Sequence, residues 1–230
     1  MDKMDQKRFD RPNAGFSVVE LLVVLALIAV MAGVTLFYTS AHKKLYQPDE
    51  QALQILDMMQ EARQRALTQR RTMRVEVNLA TNTVKLYDEN KDATTSSDDF
   101  LVRSFNMFST TNVKVNPRPS EIGYTPPETM PVPDAVFKTS VYTPSISQSV
   151  CTIRFLANGT AVDAGTNATG AGAVPTGVTL YIWSPNKTDN TKSDIARAIT
   201  VLGPTGVIRF WEFDHSSTNT NKWKDSRRSS

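Results

Sequence analysis

One stretch limits this chain more than any other. The run from Phe16 to Phe37 holds 22 residues, and only Ser17, Glu20 and Thr35 in it are polar. As a helix rising about 1.5 Å per residue it spans roughly 33 Å, against about 30 Å for a bilayer hydrocarbon core. Glu20 is the one ionisable group of the run and lies near its beginning. A carboxylate in a membrane segment is disfavoured, by roughly 2.5 to 3.5 kcal/mol for Asp at the centre and by less toward the interface. Such a residue calls for a named partner.

Three readings compete for the segment. A secretory signal cut after the run is opposed by the length of the run and by the lack of a small-x-small site in "AVMAGV". A plain anchor explains the length and flanks but leaves Glu20 without a reason. The third reading rests on "GFSVVE", residues 15–20, which follows a short charged leader, "MDKMDQKRFDRPNA". This stretch resembles the class III signal of type IV pilins and pseudopilins. The resemblance implies cleavage by a prepilin peptidase between Gly15 and Phe16, N-methylation of Phe16, and an assembly role for Glu20. The new amine of one subunit would pair with the Glu20 carboxylate of the next. An unpaired charge is costly in apolar surroundings, so the pair would set register. Lys3, Lys7, Arg8 and Arg11 precede the run and Lys43 and Lys44 follow it. That excess favours a cytoplasmic N-terminus and a single pass through the inner membrane.

Beyond the run, Pro48 removes a backbone donor and is expected to kink or restart the helix. Leu53, Leu56, Met59, Ala66 and Leu67 recur near helical spacing, which predicts an amphipathic helix ending near Arg71. Alternating segments then predict strands at 73–79, 84–88, 100–108, 135–143, 150–157, 178–184, 196–202 and 207–213. A hairpin is expected near Asn82, with further turns at Asn158-Gly159 and at "GPTG", 203–206. Six prolines in 116–134 and a Gly, Ala and Thr-rich stretch at 163–177 read as exposed insertions.

The expected fold class is α+β: a long N-terminal helix, part membrane and part amphipathic, packed on an antiparallel β-sheet head. The expected divisions are a leader at 1–15, an assembly helix at 16–38, an amphipathic helix at 39–72, a β-rich head at 73–213 and a polar basic tail at 214–230. "EARQRALTQRRTMRVEVNL", "TIRFLANGTA" and "ITVLGPTGVIRFW" are similar to the helix-to-hairpin and later strand-turn-strand pieces of GspH/FimT-like minor pseudopilins. That resemblance implies a subunit of a type II secretion pseudopilus or a type IV pilus. Its partners would be other pilins, bound through the N-terminal helix, and the prepilin peptidase and methyltransferase.

Little points to catalysis. Cys151 is the only cysteine and His42 and His215 the only histidines, which argues against a Cys- or His-built metal centre. Asp88, Asn90 and Asp92 have calcium-loop spacing, but the glycine and distal glutamate of such a loop do not follow. Asn158, Asn167 and Asn186 open N-x-T triplets, which arise easily in a chain rich in Asn and Thr. No G-x-S-x-G element or phosphate loop occurs. The expectation is therefore no enzyme, no cofactor and no metal. The tail "NKWKDSRRSS" groups Lys222, Lys224, Arg227 and Arg228 around Trp223. Cations on phosphates and an indole on an exposed base would let it bind DNA, as a transformation pilus requires. The other rival is an anchored periplasmic domain that never assembles.

Overall fold

The computed structural model describes residues 17–89, 98–185 and 196–226, with no account of the side chains of 37–45. The chain divides into two compact units between Lys43 and Lys44. In the first unit, α1 (Val18–Gln69) begins, and its residues from Val18 to Leu36 are exposed. This stretch is 19 residues long and apolar enough to cross a membrane. Ser17 starts it: its Oγ accepts the Val19 N–H at 3.3 Å and its carbonyl accepts the Leu21 N–H at 3.1 Å, the pattern of an N-cap.

Helical assignment continues through Pro48, where the sequence led us to expect a kink or restart. A proline removes one donor, but neighbouring helical hydrogen bonds and packing can carry the helix past it. Pro48 is itself buried. The helix ends two residues before the expected Arg71. Arg70 follows it with φ 53°, the left-handed conformation that commonly terminates helices.

The second unit holds two antiparallel sheets. The first sheet runs β3-β2-β1-β6-β5, with β7 also pairing β6; the second runs β11-β10-β9-β8-β4. Its elements are β1 (Thr72–Asn78), β2 (Thr83–Glu89), β3 (Phe100–Asn106), β4 (Lys114–Val115), β5 (Lys138–Thr139), β6 (Ser149–Phe155), β7 (Ala161–Val162), β8 (Val178–Trp183), β9 (Arg197–Val201), β10 (Ile208–Phe213) and β11 (Trp223–Asp225). The β1–β2 hairpin forms as expected. The Asn78 side chain accepts the Ala80 and Thr81 amides, and Asn82 takes φ 53°.

Both sheets give one face to a shared core with α1. Met73, Val75 and Val77 of β1, Ile153 and Phe155 of β6, Leu180 and Ile182 of β8 and Ile208 and Phe210 of β10 all belong to it. The helix stripe that meets them differs from the expected one. Ala52, Ile55, Met58, Met59, Ala62 and Ala66 are buried, while Leu53 is 52% and Leu67 38% exposed. Met59 and Ala66 of the expected stripe are buried and Leu56 packs partly buried on the core, so only its edges, Leu53 and Leu67, turn outward.

Two other expectations need correction. Residues 135–143 do not form one strand; Lys138–Thr139 form a short one, Ser140 makes an isolated bridge to Ile146, and the rest is irregular. The insertions are largely exposed, as expected, and also pack on the outer faces of the two sheets. The chain after Asp214 is not a free tail, since β11 within it pairs with β10.

Candidate functional site: the N-terminal segment and the covered faces of the head

Gly15 and Phe16 lie outside the described residues, as do Arg227, Arg228, Asn90, Asp92 and Asn186. Glu20 is exposed in the first turn of α1. A structural fact that the sequence reading missed is that Ser17 and Glu20 occupy the two positions of a capping box, S-x-x-E. A carboxylate there also favours the positive end of the helix dipole. The recorded cap bond is the one from Ser17; Glu20 stands at the spacing of its partner position in the first turn.

On the outer face of the first sheet, period-two alternation points Arg74 and Glu76 away from the core. They are nevertheless fully enclosed. Arg74 sits between Tyr87 of β2 and Arg154 of β6 in register. Like charges directly opposite repel, and acidic groups offset this. Glu89 accepts from Arg154 Nε at 2.7 Å and Nη2 at 2.5 Å, and from Arg74 Nη1 at 3.4 Å. Arg74 also pairs with Glu76 at 2.9 Å and with Asp99. The Tyr142 ring covers the Arg74 guanidinium at 4.1 Å, and Ser145 Oγ donates to Glu76 at 2.6 Å. Burial alone would lower the Arg74 pKa, yet Glu76, Asp99 and Glu89 hold it above its ordinary value. Burial pushes the Tyr87 and Tyr142 phenols up to about 12. Gly170, at φ +72°, lies so close over Arg154 that a Cβ there would collide with the guanidinium. Segments around 140–145 and 164–170 therefore form the cover.

The outer face of the second sheet is aromatic. Ile122, Tyr181, Ala196, Ala198, Trp211, Phe213 and Trp223 form a second buried cluster. All three tryptophans lie here, and each indole N–H holds the proline-rich segment in place. Trp183 donates to the Pro117 carbonyl at 2.9 Å, Trp223 to the Tyr124 carbonyl at 2.7 Å, and Trp211 to Glu128 at 3.2 Å. The Glu128 side chain is 2% exposed; it also accepts from Arg209 Nη1 at 2.8 Å and from Thr200 Oγ1.

This placement overturns the basis of the DNA expectation. Trp223 is 4% exposed, edge-on to Phe213 with ring centroids 5.2 Å apart, so no base can stack on it. Lys224 pairs with Asp214, and Lys222 donates to the His215 carbonyl at 2.9 Å. Asp88, whose calcium-loop spacing the sequence argued against, accepts from Arg71 at 3.2 Å. Among the described residues no group of His, Cys, Asp and Glu side chains is arranged to hold a metal.

Residues 10–36 match the family described as the prokaryotic N-terminal methylation motif. The N-terminal segment carries that motif. The match spans the proposed junction and Glu20, and it stops short of the head. No curated relative matches the chain by sequence. Solved structures similar to it include the minor pseudopilin EpsH from the type 2 secretion system of Vibrio cholerae. That pair has 10% identity and TM-score 0.40, covering 71% of this chain and 95% of the other. Two crystal forms of the type IV minor pilin FimU of Pseudomonas aeruginosa PAO1 are also similar. They show 17% and 16% identity with TM-scores 0.37 and 0.39, covering 75% and 80% of this chain and 98% of each FimU chain. Superposition this loose fixes neither relationship nor function. The chain itself displays an apolar N-terminal helix followed by antiparallel strands.

Proposed function

We propose that this chain is a minor pilin-like subunit of a type IV pilus or a type II secretion pseudopilus. It enters the inner membrane with its N-terminus in the cytoplasm. A prepilin peptidase cuts between Gly15 and Phe16, Phe16 is methylated, and the N-terminal helix assembles with other pilins while the head stays outside the cytoplasm. The subunit is structural, not catalytic. The observation that carries this reading is the match of residues 10–36 to the methylation motif, on an exposed 19-residue apolar helix that precedes the β head.

Glu20 is the residue on which assembly turns. An amine on Phe16 and a carboxylate four residues on share a helix face, and in a filament the same two groups can pair between subunits. The first test is the intact mass and N-terminal residue of the membrane-extracted protein, with and without a prepilin peptidase in the cell. A chain starting at methylated Phe16 only when the peptidase is present supports the reading; a start at Met1 in both cells refutes it. The second test is Glu20→Gln. Glutamine also serves at the third position of a capping box, so the helix start survives and only the charge goes. Loss of the variant from sheared filaments, with membrane levels unchanged, assigns the charge to assembly. Normal incorporation would reduce Glu20 to a helix cap.

A further inference from the structure

α1 begins at Val18, and Ser17 fixes that beginning. Its carbonyl accepts the Leu21 N–H at 3.1 Å, the first bond of the helical ladder, and its Oγ accepts the Val19 N–H at 3.3 Å. A residue in this role keeps its own backbone out of the helical region, so winding stops there. Glu20 adds to the preference, because a carboxylate in the first turn suits the positive end of the helix. Such a cap is ordinary helix chemistry, but its place in the chain is particular. Phe16 alone separates Ser17 from the Gly15–Phe16 bond. The methylation motif matched over residues 10–36 covers the whole stretch, so the terminus that an enzyme would read is the one that this cap shapes.

The sequence also offers a competing start. Asn13 stands four residues upstream and has the same capping chemistry. A helix capped by Asn13 would run its first turn through residues 14–17 and wind the Gly15–Phe16 bond into it. Gly15 opposes that start, because a glycine loses more backbone freedom in a helix than any other residue. Once a helix is nucleated, however, each added residue is gained easily. Ser17 and Asn13 are therefore alternative boundaries on opposite sides of the junction. A protease acts on unwound chain, and its rate follows the unwound population where winding is fast relative to cleavage. Helix relaxation takes about a microsecond or less.

We propose that Ser17 is a positioning residue for processing: by holding the start of α1 at Val18, it keeps the Gly15–Phe16 bond out of the helix and open to the peptidase. This rests on the cleavage proposed above and names the residue that governs access to the bond. The test is cleavage of the full chain, solubilised in detergent, by purified prepilin peptidase. The substrates are the native chain, Ser17→Ala and Ser17→Asn. Alanine has no capping oxygen, whereas asparagine caps about as well as serine and carries no hydroxyl.

The expected result for Ser17→Ala is a kcat/KM about fivefold below that of the native chain, the factor that goes with the loss of one cap. The loss should lie in KM with kcat unchanged, because a smaller competent fraction weakens apparent affinity and leaves the bound state as it was. Ser17→Asn should be cut like the native chain. Hydrogen exchange reads the boundary directly. In Ser17→Ala the amides of residues 17 and 18 gain the carbonyls four residues back and should exchange more slowly. Equal cleavage of Ser17→Ala and the native chain overturns the proposal, as does unchanged exchange at those two amides. Ser17→Asn cut as slowly as Ser17→Ala overturns it too, since the peptidase would then be reading the hydroxyl itself. A native chain left uncut refutes the processing reading, and the role of Ser17 falls with it.

Discussion

The two sheets bury their outer faces by opposite means. The first encloses two arginines and three carboxylates, Arg74 and Arg154 with Glu76, Glu89 and Asp99, beneath two tyrosine rings. The second encloses an aromatic cluster beneath a proline-rich segment, with two carboxylates, Glu128 and Asp134, bonded to Trp211 and Tyr181 of it. Aromatic burial is favourable wherever the rings land, adding about 0.5 to 1.5 kcal/mol per well-set pair beyond area. A buried ion network tolerates few alternatives, because each misplaced charge is an unpaired one. The first cover is therefore specified by pairing and the second by burial. Damage to single residues should separate them.

The largest effect is expected from Arg74→Met. It strips the cation from Glu76 and Asp99 and leaves both carboxylates enclosed. Breaking a buried pair from one side costs about 3 to 5 kcal/mol, read as urea unfolding of the detergent-solubilised full chain. A loss under about 1 kcal/mol would mean that water reaches the network. The sharper version adds Glu76→Gln and Asp99→Asn to Arg74→Met and keeps the Glu89–Arg154 pair. Removing the stranded charges together should recover most of the loss. If the triple variant is no better than the single one, packing and not charge is what Arg74 supplies.

Trp223→Phe probes the second face at a smaller scale. The ring stays against Phe213, but the donor to the Tyr124 carbonyl goes. The expected loss is about 1 to 2 kcal/mol, with the β10–β11 amides exchanging faster with solvent. A loss as large as that of Arg74→Met would show that the aromatic face, too, depends on one exact polar link, and the contrast between the faces would fail.

The same contrast explains what the sequence disclosed. Strand order along the chain, the β1–β2 hairpin and the turns could be read because alternation and turn residues are local signals. Alternation showed that Arg74 and Glu76 share a face. It did not show that the face is covered, since Tyr142, Ser145 and Gly170 arrive from some 65 to 95 residues away. Trp223 misled for a related reason. An indole between lysines in a polar C-terminal stretch looks exposed until β11 pairs with β10. The buried helix stripe was read in part: Met59 and Ala66 are buried as expected, but Leu53 and Leu67 face outward while Ala52 and Ile55 face the sheet. At the other end, the methylation motif matched at residues 10–36 was legible because a motif of that kind is read as linear sequence. The S-x-x-E spacing of Ser17 and Glu20 was equally present and went unnoticed beside the charge.

The smallest effect belongs to the edge of the second sheet, at Asp214. Hydrogen bonds from Lys224 and then Ser216 hold its carboxyl down at about 2, below the ordinary 3.8. A depressed folded pKa means that the contribution is complete above the unfolded value and disappears as pH falls through the folded one. The difference in stability between the native chain and Asp214→Asn should therefore be constant above pH 4 and shrink between about pH 4 and 2. Arg74→Met supplies the contrast, because its cost at neutral pH comes from stranded carboxylates, and protonating them as pH falls should lessen it. If the Asp214→Asn difference stays flat to pH 2, the ion pair with Lys224 is only a surface contact. The turn would then be held by its other bonds, among them Ser216 Oγ to Asp214, the Asp214 amide to the Lys222 carbonyl and Asn221 to Thr125.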